Sequence, residues 1–419
     1  MANLNLEFFR NHKRWLIVGL LFLLSAINYL DRQTLSVLAP VLREQLGFTT
    51  EQYSYVVSAF LAAYTAGFGV GGFVLDRFGS RIGLAVAVSF WSLAGMLHAL
   101  AKGWQSLAVL RFLLGLGESL GPPGGAKAIG EWAPRRERAL SMAIFSNGMI
   151  TGAVVAPPLV TFLAMRFGWR WAFVLTGSLG FLWLVSWLLF YHPPERHPSL
   201  TVSERAHILS ERQAVGGAVS FREVACNPAC YGLIVARFLT DPVPYFFTFW
   251  LPEYLRRERD FTMALIGALG WIPFLAADAG GLSGGAVSDW LVRRGADPAT
   301  ARTRVLLIAA CLTPASAIAV RASDSWLVLA LIGLVLAAHS CWIVNLLTFM
   351  TERFPKNHVA TVVGLSGVGG GLGGILATLI TGRVISSYGY VPVFSGLACL
   401  HLTAFGVLRA ITRRESPLR

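Results

Sequence analysis

Apolar stretches long enough to cross a bilayer recur along this chain, most of them separated by short polar joints. A spanning helix needs about 20 mostly apolar residues. Stretches of that size lie at approximately 15–37, 52–75, 82–101, 104–126, 140–165, 170–191, 229–254, 262–287, 303–321, 325–350, 359–381 and 388–410. Inside hydrocarbon every backbone N–H and C=O must be paired within the chain, which leaves helices or a closed barrel. Apolar runs of this length, rather than alternation, select helices. The expected fold class is an all-α integral membrane protein with twelve transmembrane helices. Composition agrees: 14% of the 419 residues are charged and 55% apolar, with 13 Trp and 27 Phe, against about 25% charged in soluble domains. A soluble enzyme, a disordered chain and a secreted disulfide scaffold are excluded.

The longest polar stretch, 192–227, divides the spans six and six. The expected organisation is a first six-helix bundle over 1–191, a linker over 192–228 and a second bundle over 229–419. Pro193-Pro194-Glu195-Arg196 stops a helix, and 203–213 reads as a short amphipathic surface helix. The net charge of +13 is spread between spans rather than gathered into a patch, so no nucleic-acid partner is expected. With the N-terminus inside, Lys and Arg favour the cytoplasmic joints more than twofold, with clusters at Arg135, Arg136 and Arg138, at Arg293 and Arg294, and at Arg413 and Arg414. Both termini are therefore expected in the cytoplasm. The first apolar run is too long for a cleavable signal. Cys226, Cys230, Cys311, Cys341 and Cys399 are irregularly placed and read as reduced packing thiols.

Ionisable residues inside spans are costly and usually face a cavity or a partner. Asp31, Arg32, Arg111 and Glu118 stand out. At 1.5 Å per residue, Asp31 lies roughly 13 Å and Arg111 roughly 10 Å from the outer ends of their spans, and Glu118 two turns deeper, near the midplane. An arginine in a wet cavity can grip a carboxylate through two parallel hydrogen bonds, the role expected of Arg111. The alternative is that Arg111 only neutralises Glu118 or Asp31. A carboxylate near the midplane suits a proton carrier, so Glu118 is the first candidate for coupling, its protonation freeing Arg111. Neighbouring helix positions diverge by about 100°, so Asp31 can face a cavity while Arg32 reaches another helix; a charge pair bracing an outer gate is the alternative.

The two halves echo each other. Gly72-Phe73-Val74-Leu75-Asp76-Arg77-Phe78-Gly79-Ser80-Arg81 follows span two, and Gly285-Ala286-Val287-Ser288-Asp289 with Arg293 and Arg294 follows span eight. Paired halves of this kind are a transporter architecture. The first loop resembles the signature loop of the major facilitator superfamily. Asn28-Tyr29-Leu30-Asp31-Arg32, Arg111 with Glu118, and Gly168-Trp169-Arg170 resemble its anion:cation symporter branch, and Arg237–Pro242 with Phe249–Leu255 is similar to the seventh span of hexuronate-type members. The resemblance implies two six-helix bundles that alternate access, uptake of a small organic anion such as a hexuronate with protons, no enzymatic activity and no cofactor beyond the proton gradient. It implies that Asp31 is a second titrating site, that Arg32 couples, and that Asn28 and Tyr29 contact sugar hydroxyls. It assigns Asp76, Arg77, Arg81 and Asp289 to gating, in loops that lock one state. The expected setting is the cell membrane, the inner membrane in a bacterium, and a monomer.

Further substrate candidates are Asn147 in span five, Tyr245 and Trp250 as aromatic surface in span seven, and Asn345 and Ser366 in the second half. Met149 stands where an aldonate carrier would be expected to hold a polar amide, which disfavours an aldonate. Asp241 precedes Pro242 and either caps the backbone groups freed there or marks a cavity-lining break. His339 is a weaker candidate, a lone histidine in an apolar span. Two other functions are weighed. Gly148 with Gly152 and Pro157-Pro158 faintly resembles an antiporter motif, the mark of a proton-driven exporter. Gly281-Leu282-Ser283-Gly284-Gly285 matches the pattern of an intramembrane serine hydrolase, although helix packing explains its glycines.

Overall fold

A computed structural model of the protein describes residues 12–134, 136–210, 227–354 and 358–414. Among them the regular structure is helical. The helices are α1 (Lys13–Leu46), α2 (Thr50–Leu97), α3 (Trp104–Glu118), α4 (Gly121–Trp132), α5 (Arg138–Phe167), α6 (Trp169–Phe190), α7 (Val202–Ser210), α8 (Pro228–Thr240), α9 (Pro242–Glu258), α10 (Met263–Leu269), α11 (Ile272–Arg293), α12 (Pro298–Leu312), α13 (Ala315–Ala319), α14 (Ser325–Arg353), α15 (Val359–Tyr388) and α16 (Tyr390–Arg414). They coincide with the twelve expected spans once breaks are allowed for. Spans two and three run together as α2, bent at Gly79. Span four is α3 and α4, span seven α8 and α9, span eight α10 and α11, and span nine α12 and α13. Nine helical stretches among the described residues are long and apolar enough to cross a membrane. The surface helix expected at 203–213 is present as α7; residues 211–213, Cys226 and the basic residues Arg10, Arg135, Arg212, Arg222, Lys356 and Arg419 lie outside the described residues.

The chain forms two compact units, Met1–Leu38 with Ala63–Gly216, and Ala39–Ala62 with Gly217–Arg419. Each has the same internal plan. In the first, Gly148 and Gly152 of α5 lie against the carbonyls of Phe22 and Ala26 of α1; in the second, Gly369 and Gly373 of α15 lie against those of Ile234 and Phe238 of α8. Gly67 faces Ser119 in the first unit, and in the second Gly280 and Gly284 face Ala337 and Cys341. Small residues let helix backbones meet where lipid supplies no hydrophobic drive. The turns repeat too: Gly79 (φ 75°) and Gly295 (φ 92°) follow spans two and eight, and Gly168 (φ 89°) and Gly389 (φ 73°) follow spans five and eleven. Positive φ strains any side chain, so glycine falls at both pairs.

Helix ends away from the bilayer are held by polar side chains. Asp324 accepts from Leu327 N at 2.7 Å to cap α14. Asp324→Ala should therefore lower stability by about 1 kcal/mol, read as a small drop in Tm in detergent with no change in folding yield. In the first unit, Arg14 meets Glu137 at 2.6 and 3.1 Å and Glu204 at 3.3 Å, tying α1 to the start of α5 and to α7. The hydrogen bonds from Arg14 hold the Glu137 carboxyl below its usual value of 4.5. A depressed carboxylate stabilises above its unfolded pKa, and the contribution fades as pH falls through the folded value. Glu137→Gln should accordingly lower Tm at pH 7, and wild type and variant should converge as the pH is brought well below 4.5.

Candidate functional site

In the first unit, α1 and α3 bring together the four charges singled out from the sequence. Asp31, Arg32, Arg111 and Glu118 are all buried, Glu118 completely. Arg32 Nε and NH2 both donate to Glu118 Oε2, at 3.3 and 3.0 Å, and NH2 also reaches Asn28 Oδ1 at 3.3 Å. Arg111 NH2 donates to the Arg32 carbonyl at 3.2 Å. Asp31 lies within the field of Glu118 and Arg111, beside the Thr176 hydroxyl. The expected partnership thus changes hands: Glu118 is paired with Arg32 and not with Arg111. The reason is length. Seven residues along one helix separate two groups by about 10 Å, whereas a guanidinium on the facing helix can extend to the carboxylate.

Tyrosines hold that guanidinium in place. The Arg32 Cζ lies 4.8 Å from the Tyr29 ring centre and 4.6 Å from that of Tyr64, an attraction worth up to about 2 kcal/mol away from water. Tyr64 was not among the sequence candidates. Its signal was a polar-tipped ring in an otherwise small-residue stretch, Ala62-Ala63-Tyr64-Thr65-Ala66. Among the buried polar atoms of the cluster that lack a hydrogen-bonding partner are Glu118 Oε1 and Asn28 Nδ2. One is an acceptor and one a donor, the pair a hydroxylated ligand or water would complete. Asn147, half-buried on α5, flanks Gly148, which seats on α1. Gly117 seats α3 against Trp91, where a Cβ would fall 2.8 Å from that of Trp91.

The second-unit candidates do not form an equivalent cluster. Tyr245 is half-buried and stacked on Phe249 at 6.4 Å. Trp250, expected to offer an aromatic face, is enclosed and meets Tyr53 edge-on at 5.1 Å. Asn345 Nδ2 donates to Gly284 O at 3.2 Å and to Cys341 O at 2.9 Å, joining α14 to α11. Ser366 Oγ donates to Val363 O at 2.9 Å within its own helix. Asp241 makes no capping bond at the α8–α9 break; it pairs with Arg237 one turn back, at 2.7 Å. His339 meets buried His401 at 3.2 Å, a hydrogen-bonded packing pair. Ser283 Oγ donates to Gly280 O in its own helix at 3.3 Å, so the serine-hydrolase pattern is a helix-packing surface.

Both loop acids are paired. Asp76 binds Lys127 at 2.6 Å, and Lys127 also donates to Leu75 O at 2.9 Å. Arg77 is exposed, and Arg81 donates to Leu188 O at 2.8 Å. Asp289 binds Arg302 at 2.7 Å, and Arg302 binds Glu352 at 3.1 Å. Lys127 and Glu352 escaped notice in the sequence because each lies near the end of a different span, where a charge is commonplace.

The sequence model of the Major Facilitator Superfamily matches residues 21–378. The chain is 32% identical over 408 residues to the hexuronate transporter of Escherichia coli K12, covering 96% of this chain and 94% of that one. It is 36% identical over 277 residues to the galacturonate transporter of Dickeya chrysanthemi, covering 65% and 80%. A crystal structure of a D-xylose-proton symporter superposes with a TM-score of 0.76 at 14% identity, over 94% of this chain and 96% of the other. A multi-pass helical chain, a doubled internal plan and these matches lead to one conclusion: this protein belongs to the Major Facilitator Superfamily and is a transporter rather than an enzyme.

Proposed function

We propose that the protein is a proton-coupled symporter that imports a small sugar acid, a hexuronate first among them, by alternating access. The observation that carries this reading is the buried cluster of two guanidiniums and two carboxylates on α1 and α3, with Glu118 Oε1 and Asn28 Nδ2 left open. The names of the hexuronate and galacturonate transporters above support the substrate class. Arg111 receives the substrate carboxylate, and Asn28, Tyr29 and Asn147 take its hydroxyls. Glu118 carries a proton, whose arrival loosens Arg32, and Asp31 is the second titrating group. Tyr245 supplies aromatic surface; Trp250, Asn345 and Ser366, with their rings or amides engaged in packing, support the second half. Asp76, Arg77, Arg81 and Asp289 control the opening of halves 1–191 and 229–419, linked by 192–228. The setting is a monomer in the bacterial inner membrane, both termini cytoplasmic, with the proton gradient as energy source.

Reconstitution tests this. Proteoliposomes are offered labelled glucuronate, galacturonate, galactonate, tartrate and an aromatic acid, with an inward proton gradient or with the gradient collapsed by a protonophore. Accumulation of a hexuronate above equilibrium, abolished by the protonophore, is expected. Uptake of none of the acids, with a basic lipophilic dye expelled instead, would replace symport by export.

A further inference from the structure

A polar cavity lies in the second unit, where the end of α1 and the turn after it meet α9. It encloses about 280 Å³ and is lined by Arg43, Glu44, Phe48, Glu253, Arg256 and Arg257. Ligand pockets for drug-sized molecules run from about 300 Å³ upward, so this one suits a smaller guest. Three guanidiniums face two carboxylates, leaving one positive charge in excess. Their pairing is lopsided. Glu253 is buried, and its Oε1 receives both Arg43 and Arg257, the latter at 2.9 Å, while its Oε2 is buried without any hydrogen-bonding partner. Arg256 is held loosely, 3.9 Å from Glu44 and 3.4 Å from the Phe261 carbonyl. The cavity therefore presents an unspent cation beside an unspent buried acceptor.

A simple anion would satisfy the first and be repelled by the second. A cation would do the reverse. A hydroxylated carboxylic acid satisfies both, its carboxylate on the Arg256 and Arg257 forks and a hydroxyl donating to Glu253 Oε2. We propose that this cavity is a capture site for polyhydroxy acids, distinct from the Arg111 cluster and placed at the end of the protein that the arginine distribution assigns to the outside. The proposal rests on the sugar-acid reading above and names a second position for that ligand. Arriving carboxylate competes with Glu44 for Arg256, so occupancy loosens a contact that ties α9 to the end of α1.

The test uses purified full-length protein in nanodiscs and labelled galacturonate and glucuronate. Wild type is expected to bind two equivalents. Arg111→Ala should retain one, which Arg256→Ala in the same background removes. In otherwise wild-type protein, Arg256→Ala should raise the half-saturating concentration for uptake three- to tenfold, leave the maximal rate unchanged and flatten the ionic-strength dependence. Because Arg256 makes only loose contacts, unchanged Tm serves as its folding control. Glu253→Gln, which keeps the shape but weakens the hold on Arg43 and Arg257, should lower discrimination between hydroxylated acids and acetate at the retained site. One equivalent in wild type, lost entirely in Arg111→Ala, overturns the capture site and leaves the sugar-acid reading standing. Binding and uptake of no acid at all overturns both, and the proteoliposome assay tells the two failures apart.

Discussion

Arg111→Ala is expected to reduce kcat/KM for sugar-acid uptake by about 10²–10³-fold, while Glu118→Gln leaves exchange intact and eliminates accumulation. The first figure follows from removing one member of a desolvated charge–carboxylate contact, which costs about 2–5 kcal/mol. Arg111 spends an NH2 on the Arg32 carbonyl, so alanine also frees that carbonyl, and Arg111→Lys should recover little because one ammonium cannot make two parallel bonds. Glu118→Gln is a different experiment. The amide retains an acceptor for Arg32 and the shape of the site, but it cannot carry a proton. Counterflow of labelled against unlabelled hexuronate should then proceed at near wild-type rate, with no net accumulation on a pH gradient. Glu118→Ala should be worse than either, since it leaves Arg32 buried and uncompensated, a loss of about 3–5 kcal/mol. Accumulation by Glu118→Gln equal to wild type would remove Glu118 from the coupling path.

Gly148→Val combined with Gly152→Val is expected to leave no folded protein. A side chain at either position meets a backbone carbonyl of α1, and Cβ atoms would also fall 2.8 Å from that of Ser25 and 2.9 Å from that of Tyr29. A flexible side chain could swing aside; a helix backbone cannot move without parting α1 from α5. Overpacking of this sort costs about 1–3 kcal/mol at each site, and more where nothing yields. Gly19→Ala on the same α1 has open space around its new Cβ and should gain about 0.5–1 kcal/mol from helix propensity. Size-exclusion yield and Tm in detergent separate the two cases. A monodisperse double valine variant with wild-type Tm would show that α1 and α5 are not in backbone contact.

The spans were legible because apolar runs of fixed length are imposed by the bilayer, not by partners. Their interruptions carry local marks, Pro242 at the α8–α9 break, Gly121-Pro122-Pro123 just after α3 and Pro314 just after α12, but each sits inside an apolar run long enough to read as one span. The charge cluster was legible for the same reason as the spans, since each of its members is conspicuous in an apolar run. Who pairs with whom was not. That Arg32 rather than Arg111 holds Glu118 depends on the crossing of α1 and α3, and spacing along one helix is silent on that. Tyr64 and Lys127 were passed over for a related reason: their signals in the sequence are faint, and their task is set by what faces them. Asn345 and Trp250 show the converse, noticeable residues whose side chains are engaged in packing.

The contact of α5 with α1 through Gly148 and Gly152 also bears on selectivity. Asn28 and Tyr29 belong to α1 and Asn147 to α5, so their spacing is set by two backbones in contact rather than by side chains that can change rotamer. Such a ruler has no soft element to stretch. Under the function proposed above, with Asn28, Tyr29 and Asn147 taking substrate hydroxyls, it fixes the spacing of those hydroxyl contacts, and acids whose hydroxyls are displaced by one carbon should be rejected by geometry, even where their charge and hydroxyl count are identical.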